Sequence, residues 1–191
     1  MNKIKELWEK NWLRYFEIYK VMSIFERILL SIIFSILTGI SAQIYIKLPF
    51  TPVPVTLQTF VVLLSGILLG KIFGLISQTF YFIGGISGIG WFYGGETGIF
   101  RPTIGYLIGF IFASYIAGYF SEKRNKILGM IFASLIIYFF GVLFLKLFFP
   151  YKGFKDLLII GVLPFIPFDI LKAIIAGFFA MSIRGRIDEK V

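Results

Sequence analysis

Long apolar runs with almost no charged residues are the feature that most restricts how this chain can fold. The clearest is Ile127–Phe149, in which Lys146 is the single charged residue among 23. An α-helix rises about 1.5 Å per residue, so about 20 residues cross the ~30 Å hydrocarbon core of a bilayer. The run lacks the alternation of a barrel strand, and it therefore predicts a membrane-spanning helix.

Six such runs divide the chain, and the second and third are shorter than the ideal of about 20 residues. They are Phe25–Ile46, Val55–Leu69, Phe73–Ile89, Ile104–Phe120, Ile127–Phe149 and Leu157–Ile183. We therefore predict an all-α integral membrane protein, with six transmembrane helices in a domain over residues 23–191. The chain is 58% hydrophobic and 15% charged, against about 25% charged in soluble domains. This composition excludes a soluble globular domain and a disordered protein.

The distribution of positive charges predicts how the chain is oriented. Of the 19 Lys and Arg residues, 13 lie toward one side of six spans, at the termini, in the loops or near a span end, and five lie toward the other side. The remaining one, Lys172, lies inside the sixth span. Because cytoplasmic loops are enriched in basic residues, we expect both termini in the cytoplasm and the protein in the cell (plasma) membrane. The net charge of +9 then reflects orientation in the lipid bilayer, and we expect no nucleic acid partner.

Residues 1–22 precede the first span and show an amphipathic pattern. Between Lys3 and Lys20, apolar residues recur at helical spacing while Lys and Glu occupy the other face. This pattern is typical of a helix that lies in the membrane interface with aromatic anchors, although a poorly ordered basic leader also fits. The apolar positions are Ile4, Leu7, Trp8, Trp12, Tyr15, Phe16 and Tyr19.

Ionisable residues within membrane spans are costly and therefore mark candidate functional sites. Asp169 and Lys172 lie three residues apart in the sixth span, which places both on one helix face. They form either a buried ion pair that fixes helix packing or a group that binds a polar ligand. Pro164 and Pro167 precede the pair. The span therefore either begins irregularly beside a wet cavity or holds both prolines in its first turn, where they are tolerated.

Two loops on the predicted outer side have unusual composition. Leu48–Phe60 contains three prolines and is typical of a stiff apolar loop, which either covers a cavity or lies as a turn in the interface. Gly84–Tyr106 is rich in glycine, which lets backbone approach a ligand closely, or else it forms a tight re-entrant turn without a ligand. It lacks the G-x-x-x-x-G-K-[ST] pattern of a phosphate-binding loop, so we predict no nucleotide site.

The residue types that usually carry catalysis and metal binding are scarce. The chain contains neither His nor Cys, the side chains on which zinc sites, haem ligation and thiol catalysis depend. Its few carboxylates on the outer half form no evident acid/base pair. We therefore expect no cofactor and no metal, and no catalytic residues.

Three stretches together resemble the BioY family of biotin-specific substrate-binding subunits, the S components of energy-coupling-factor (ECF) vitamin transporters. They are Ala42–Gly70, Gly94–Phe110, which ends in RPTIGYLIGF, and Pro164–Ala173, which reads PFIPFDILKA. The resemblance covers about Ile32 to Arg184 and implies a six-helix protein that binds biotin, as a transported ligand, from the outside. It also implies a transmembrane coupling subunit (EcfT-like) and two cytoplasmic ATPases as partners, and leaves open whether the chain works alone.

The resemblance further implies which residues hold biotin. Asp169 and Lys172 match the family's D-x-x-K, which contacts the ureido head: a carboxylate accepts from its N–H groups and an ammonium donates to its carbonyl. The glycine loop departs from the family's GG-x-GG, since Glu96 stands where a residue such as Asn is usual and Thr97 replaces a glycine. Arg101 replaces the first glycine of G-P-[ST]-G-G-Y, and it either pairs with Glu96 or reaches the biotin carboxylate.

Further ligand contacts and a covering loop follow from the same resemblance. The additional ligand-binding candidates are Gly94, Gly95, Gln58, Tyr106, Trp91, Phe92 and Tyr93. The three aromatic residues 91–93 are expected to form walls around the thioether ring and the valeryl chain. The loop that caps the bound vitamin corresponds to Pro49, Phe50, Thr51, Pro52 and Pro54.

The first span carries a ridge of small residues, Ser31, Ser35 and Gly39, at four-residue spacing. Such a ridge lets another helix approach closely, either from this chain or from a different protein. S components of the BioY type dock on the coupling subunit through small residues of this helix, so the resemblance favours the partner protein.

Two alternatives to biotin uptake remain open from the sequence. The departures at Glu96 and Arg101 motivate an S component for a biotin precursor or a lipoate-like acid. In the other alternative, Asp169 and Lys172 are catalytic residues of a small membrane-embedded enzyme that acts on a lipid. The shortage of acid/base groups argues against that enzyme.

Overall fold

The computed structural model describes residues 14–15, 17–121, 123 and 126–184, which are mostly helical. Most of the predicted amphipathic helix lies outside the described residues, including Ile4, Leu7, Trp8, Trp12 and Phe16. Tyr15 and Tyr19 are described and lie in helical segments. The hydroxyl of Tyr19 is buried and donates to the carbonyl of Leu69 at 2.6 Å, which ties this segment to the membrane helices.

Within the described residues, six α-helices follow a first helical segment, and a short ribbon and one 3₁₀ turn lie between them. In chain order the elements are α1 (Ile24–Ala42), β1 (Tyr45–Ile46), β2 (Val55–Thr56), α2 (Gln58–Ile86), a 3₁₀ turn (Tyr93–Gly95), α3 (Ile104–Ser121), α4 (Lys126–Phe148), α5 (Phe154–Gly161) and α6 (Ile166–Arg184). The described part of residues 14–21 supplies the first helical segment. The boundaries of α3 and α4 agree with the predicted fourth and fifth spans to within one residue.

The largest boundary differences flank the proline-rich loop. The first span was expected to continue to Ile46 and the second to begin at Val55, and both expectations were wrong. These residues instead pair as antiparallel strands, Ile46 with Val55 and Tyr45 with Thr56. The prolines of the intervening loop lack the N–H that a continuing helix needs. The strand pairing joins residues about ten positions apart, so no local sequence pattern predicts it.

Helix α2 reverses direction at Gly70, whose φ of 76° lies in the left-handed region that glycine adopts readily. Side chains on its two arms meet across this turn: Gln78 Nε2 donates to Ser65 Oγ at 3.1 Å. Gln58 Nε2 donates to the Tyr81 hydroxyl at 2.6 Å although the two residues are 23 positions apart. In a straight helix that separation is about 35 Å. The two arms therefore run antiparallel and correspond to the second and third predicted spans.

The single helix predicted over Leu157–Ile183 is instead two helices, α5 and α6, which meet at a bend of 56°. Pro164 lies in the break between them. Inside a helix, its missing N–H would remove a backbone hydrogen bond. Pro167 lies in the first turn of α6, where its missing N–H costs nothing. The irregular start expected for this span thus occurs at Pro164, and the first-turn alternative applies to Pro167.

Length and composition indicate a multi-pass membrane protein. Within the described residues, four helices (α1 to α4) are long and apolar enough to cross a membrane, and the bent pair α5–α6 makes a fifth. Large apolar side chains such as Ile40 and Phe139 are exposed on the outside of the bundle. In water such a surface would aggregate, whereas in a bilayer it faces lipid.

Glycines at the helix crossings let α2, α3 and α4 approach closely. A Cβ at Gly66 would lie 2.1 Å from the carbonyl oxygen of Ser114, and one at Gly105 would lie 2.3 Å from that of Phe140. Because these neighbours are backbone atoms, they have little freedom to give way. With these helices packed closely, the first turn of α3 and the middle of α4 border one space, which the first turn of α6 also lines.

Candidate functional site

A cavity of about 550 Å³, counting its open mouth, lies between the β-ribbon, the glycine-rich loop and helices α2, α3, α4 and α6. Its walls are largely apolar and aromatic, as is typical of small-molecule sites. Three charged side chains line it, Arg101, Asp169 and Lys172. Within the described residues, no group of three or more Asp or Glu side chains comes together to hold a metal ion.

Asp169 and Lys172 form an ion pair in the wall of this cavity. Lys172 Nζ donates to Asp169 Oδ1 at 2.8 Å and to the carbonyl oxygen of Thr56 at 2.7 Å. The Tyr138 hydroxyl donates to Asp169 Oδ2 at 2.8 Å. The side chains of the pair are only 9% (Asp169) and 13% (Lys172) exposed, so their lost hydration has to be offset by these contacts. Elements α6, α4 and β2 thus hold one charged cluster in place.

The cluster retains hydrogen-bonding capacity that the protein does not use. An ammonium has three N–H donors, and Lys172 employs two of them. A carboxylate offers about four lone-pair positions, and Asp169 accepts two hydrogen bonds. One donor and two acceptor positions therefore remain. This set complements a ligand group that presents one carbonyl and two N–H groups.

Arg101 forms a second polar region of the lining. Its side chain is 5% exposed, and its Nη2 is ion-paired with Glu96 Oε2. Its Nε donates to Thr103 Oγ1 at 2.8 Å, and its guanidinium lies 4.8 Å from the Phe92 ring centroid and 5.1 Å from that of Tyr93. The remaining nitrogen, Nη1, is buried without a hydrogen-bond partner.

Tyr93 stands beside this ion pair at the edge of the cavity. Burial, and next the Glu96 carboxylate, raise the pKa of Tyr93 above its ordinary value. The shift leaves the phenol protonated at neutral pH, as an unperturbed tyrosine already is.

Seven of the predicted ligand-binding residues line the cavity: Gln58, Phe92, Tyr93, Arg101, Tyr106, Asp169 and Lys172. They come from four separate parts of the chain. Several of these polar groups are already oriented by the protein. Tyr106, for example, donates through its hydroxyl to the Gly161 carbonyl at 2.7 Å.

The other predicted ligand-binding residues lie outside the lining. Glu96 is half-exposed and reaches the cavity only through Arg101. Trp91 packs between helices, where its Nε1 donates to the Tyr81 carbonyl at 2.9 Å and its ring fills the space beside Gly84. Also outside the lining are Gly94, Gly95 and Thr97.

The predicted covering loop contacts the cavity at one end. Pro54 lines the cavity together with Val53, whereas Pro49, Phe50 and Pro52 do not, and Phe50 is exposed. Thr51 Oγ1 donates to the carbonyl of Ile160 at 2.6 Å, which fastens the loop to the end of α5. The covering role of the loop stays a prediction.

The small-residue ridge of α1 is buried against the same chain. Ser31 donates to the carbonyl of Phe73 at 3.0 Å, and a Cβ at Gly39 would lie 2.8 Å from the Trp91 side chain. Ser35 is also buried. Because residues without exposed surface cannot contact another protein, this placement favours the within-chain alternative.

Three contributors to the site were missed from the sequence. Tyr138 is the one tyrosine in Ile127–Phe149, so an isolated polar group in an apolar span was a usable signal. Thr103, which orients Arg101, lies within the stretch RPTIGYLIGF, but the sequence indicated no role for it. Thr56 acts through its backbone carbonyl, which no residue type signals.

Sequence comparisons match this chain over nearly its full length. The family model described as BioY family matches residues 13–189. The probable biotin transporter BioY of Pyrococcus horikoshii is 40% identical over 156 residues, which cover 80% of this chain and 93% of that protein. The biotin transporter BioY of Thermotoga maritima is 33% identical over 147 residues, which cover 73% of this chain and 86% of that protein.

A solved structure shares the fold. It is the crystal structure of the S-component for biotin from an ECF-type ABC transporter, with a TM-score of 0.75 and 25% sequence identity. The match covers 86% of this chain and 95% of that one.

Proposed function

This chain belongs to the BioY family, and we propose that it binds biotin from outside the cell and takes it up as the S component of an ECF-type ABC transporter. The observation that carries the proposal is the buried Asp169–Lys172 pair, which keeps one donor and two acceptor positions free in the wall of an apolar cavity. The named relatives are transporters, so the alternative of a membrane-embedded enzyme is set aside.

The chemistry of biotin fits these free positions. Its ureido ring presents two N–H donors and one carbonyl acceptor. We expect Asp169 to accept from the N–H groups and Lys172 to donate its third hydrogen to the carbonyl. The Tyr138 hydroxyl, hydrogen-bonded to Asp169, fixes the carboxylate for this contact. The thioether ring and the valeryl chain would then lie against the apolar part of the lining.

The proposed topology has six spans with both termini in the cytoplasm. Counting the two arms of α2 separately and α5–α6 as one bent span supports six, and the bias of 13 basic residues to one side supports the orientation. In this topology the β-ribbon and the glycine-rich loop lie at the outer face, and the first turns of α3 and α6 lie in the outer half of the membrane. The mouth of the cavity would therefore open to the outside.

Energy for uptake would come from partner proteins. The chain has no G-x-x-x-x-G-K-[ST] sequence, so we propose a transmembrane coupling subunit and two cytoplasmic ATPases as partners. Expression with and without those subunits, followed by measurement of biotin uptake with and without ATP in vesicles, tests this part separately from binding.

Equilibrium binding of labelled biotin to the detergent-purified chain tests the central proposal. We expect saturable binding of one biotin per chain, and its absence at micromolar biotin would overturn the proposal. A panel with desthiobiotin and lipoate addresses the alternative motivated by Glu96 and Arg101: tighter binding of either compound than of biotin would transfer the function to that ligand.

A further inference from the structure

We propose that Arg101 Nη1 receives the carboxylate of the ligand, so that the cavity selects an acid over its neutral amides and esters. The inference rests on the proposed function, because it assigns the second end of the same ligand. Its starting observation is a guanidinium that lines the cavity, has 5% exposure and keeps one buried nitrogen without a partner. A buried donor that makes no hydrogen bond is costly, and a bound carboxylate that accepts from it removes that cost.

The charge balance of the lining points to an anionic ligand. Among the described residues that line the cavity, the charged ones are Arg101, Asp169 and Lys172, which sum to +1. Asp169 and Lys172 neutralise each other at 2.8 Å. One positive charge therefore remains on the lining, and a monoanion bound in the cavity neutralises it.

Glu96 does not cancel this charge as fully as Asp169 cancels that of Lys172. Its side chain is 48% exposed, whereas that of Asp169 is 9% exposed. Water and dissolved ions screen the exposed carboxylate, while the guanidinium beside it is turned away from solvent. Glu96 engages Nη2 only, which leaves Nη1 for a second carboxylate.

The guanidinium is held in position before any ligand binds. Thr103 accepts from Nε, and the rings of Phe92 and Tyr93 lie against the cation. These three contacts and the Glu96 ion pair restrain a side chain that otherwise loses much rotamer entropy on binding. Arg101 thus serves as a preorganised anion receptor on the loop, apart from the ureido-binding pair on α6.

The two polar regions and the largely apolar remainder of the lining define a ligand class. The ligand carries a hydrogen-bonding head with one carbonyl and two N–H groups, an apolar middle and a carboxylate at the other end. Biotin fits this description, whereas biotinamide has the same head and middle but no charge. The difference between the two compounds isolates the contribution of Arg101.

Measuring the Kd of biotin and of biotinamide on the same purified chain gives the test. Hydrogen bonds to charged groups contribute about 1.5–3 kcal/mol, so we expect biotin to bind about 10- to 100-fold more tightly than biotinamide. In Arg101→Gln we expect biotin to lose this advantage while the Kd of biotinamide stays within about threefold. Unchanged biotinamide binding also reports that the variant is folded.

Controls separate the inference from general damage. Lys155→Gln removes one positive charge from an exposed position on α5 and should keep the full biotin preference. Arg101→Lys keeps a positive charge and should keep part of the biotin preference. The double variant Glu96→Gln/Arg101→Gln leaves no unpaired carboxylate and should behave like Arg101→Gln.

Two results overturn the inference. One is a biotin preference that persists in Arg101→Gln, and the other is an equal loss of both ligands in every Arg101 variant, which would make the residue structural. Neither result touches the proposed function, which fails only if the unaltered chain binds no biotin.

Discussion

The two charged regions of the cavity are built in different ways. Asp169 and Lys172 lie on a helix, are almost fully buried and are held by contacts from α4 and β2. Glu96 and Arg101 lie on a glycine-rich loop, and only the arginine is buried. In the first region the loss of either partner leaves an uncompensated charge in low dielectric. In the second, the loss of Glu96 removes a carboxylate that water already screens, and Arg101 keeps its contacts with Thr103 and with the rings of Phe92 and Tyr93.

Asp169→Asn tests the buried region and should have the largest effect. The substitution leaves Lys172 buried beside a neutral amide and removes acceptor positions for the ligand. Breaking a buried ion pair costs about 3–5 kcal/mol of folding stability. Hydrogen bonds to a charged group contribute about 1.5–3 kcal/mol each, so weakening the two that the ligand N–H groups donate should lower biotin affinity by about 100-fold. Titration calorimetry of the purified variant measures it.

Asp156→Asn provides the matched control for this change. Asp156 is an exposed carboxylate in the first turn of α5 that accepts from the Gly153 N–H, and the amide oxygen of an asparagine can accept the same bond. Biotin affinity should stay unchanged there. Equal losses in the two variants would contradict the distinction between buried and exposed carboxylates.

Gly105→Ala tests the helical support that the buried region depends on. The added Cβ would lie 2.3 Å from the Phe140 carbonyl oxygen, so α3 has to move away from α4. Overpacking of this kind typically costs about 1–3 kcal/mol, and we expect a lower midpoint in thermal unfolding in detergent.

Gly153→Ala controls for the loss of a glycine as such. There the nearest atom to an added Cβ is Asp156 Oδ2, at 3.3 Å, and the backbone φ is −65°. A fall in the unfolding midpoint as large as that of Gly105→Ala would show that the crossing of α3 and α4 is not tight.

Tyr138→Phe removes one contact from the buried cluster and keeps its charges. Asp169 Oδ2 loses the hydrogen bond at 2.8 Å that orients it. A hydrogen bond to a charged group contributes about 1.5–3 kcal/mol. Because a ligand N–H can donate to the oxygen that Tyr138 leaves, only part of this energy is lost. We therefore expect biotin affinity to fall by about tenfold. The exposed Tyr151 is the control, because Tyr151→Phe should leave binding unchanged. An unaltered Kd in Tyr138→Phe would mean that Lys172 alone orients the carboxylate.

The parts of the fold that follow from local sequence were predicted, and those that depend on distant contacts were not. The boundaries of α3 and α4 follow from the length of an uninterrupted apolar run. The strand pairing of Tyr45 with Thr56 joins the two ends of a proline-rich loop, so no window of sequence contains it. An irregular start of the sixth span was one of two alternatives that Pro164 and Pro167 left open, and the bend of 56° between α5 and α6 depends on packing.

The residues of the site show the same difference between local and distant contacts. The Asp169–Lys172 pair was recognised because two charges stand three residues apart in an apolar span. The contact of Tyr138 with Asp169 joins α4 to α6 and becomes evident only when the helices are packed. For Arg101, the sequence left two partners open, Glu96 and a ligand carboxylate. The structure assigns Nη2 to Glu96 and leaves Nη1 unpaired, so the two partners do not exclude each other.

Glu96→Gln makes the same chemical change as Asp169→Asn and should have the smallest effect of the series. The carboxylate of Glu96 is 48% exposed, so water and ions screen its attraction to the guanidinium, and the amide oxygen of a glutamine can still accept from Nη2. Arg101 keeps its contacts with Thr103 and the two rings, so its position is retained. We expect biotin affinity within about fivefold of the unaltered chain, with the difference shrinking further at high salt. A loss comparable to that of Asp169→Asn, independent of salt, would show that the loop pair is as strongly coupled to the ligand as the helix pair.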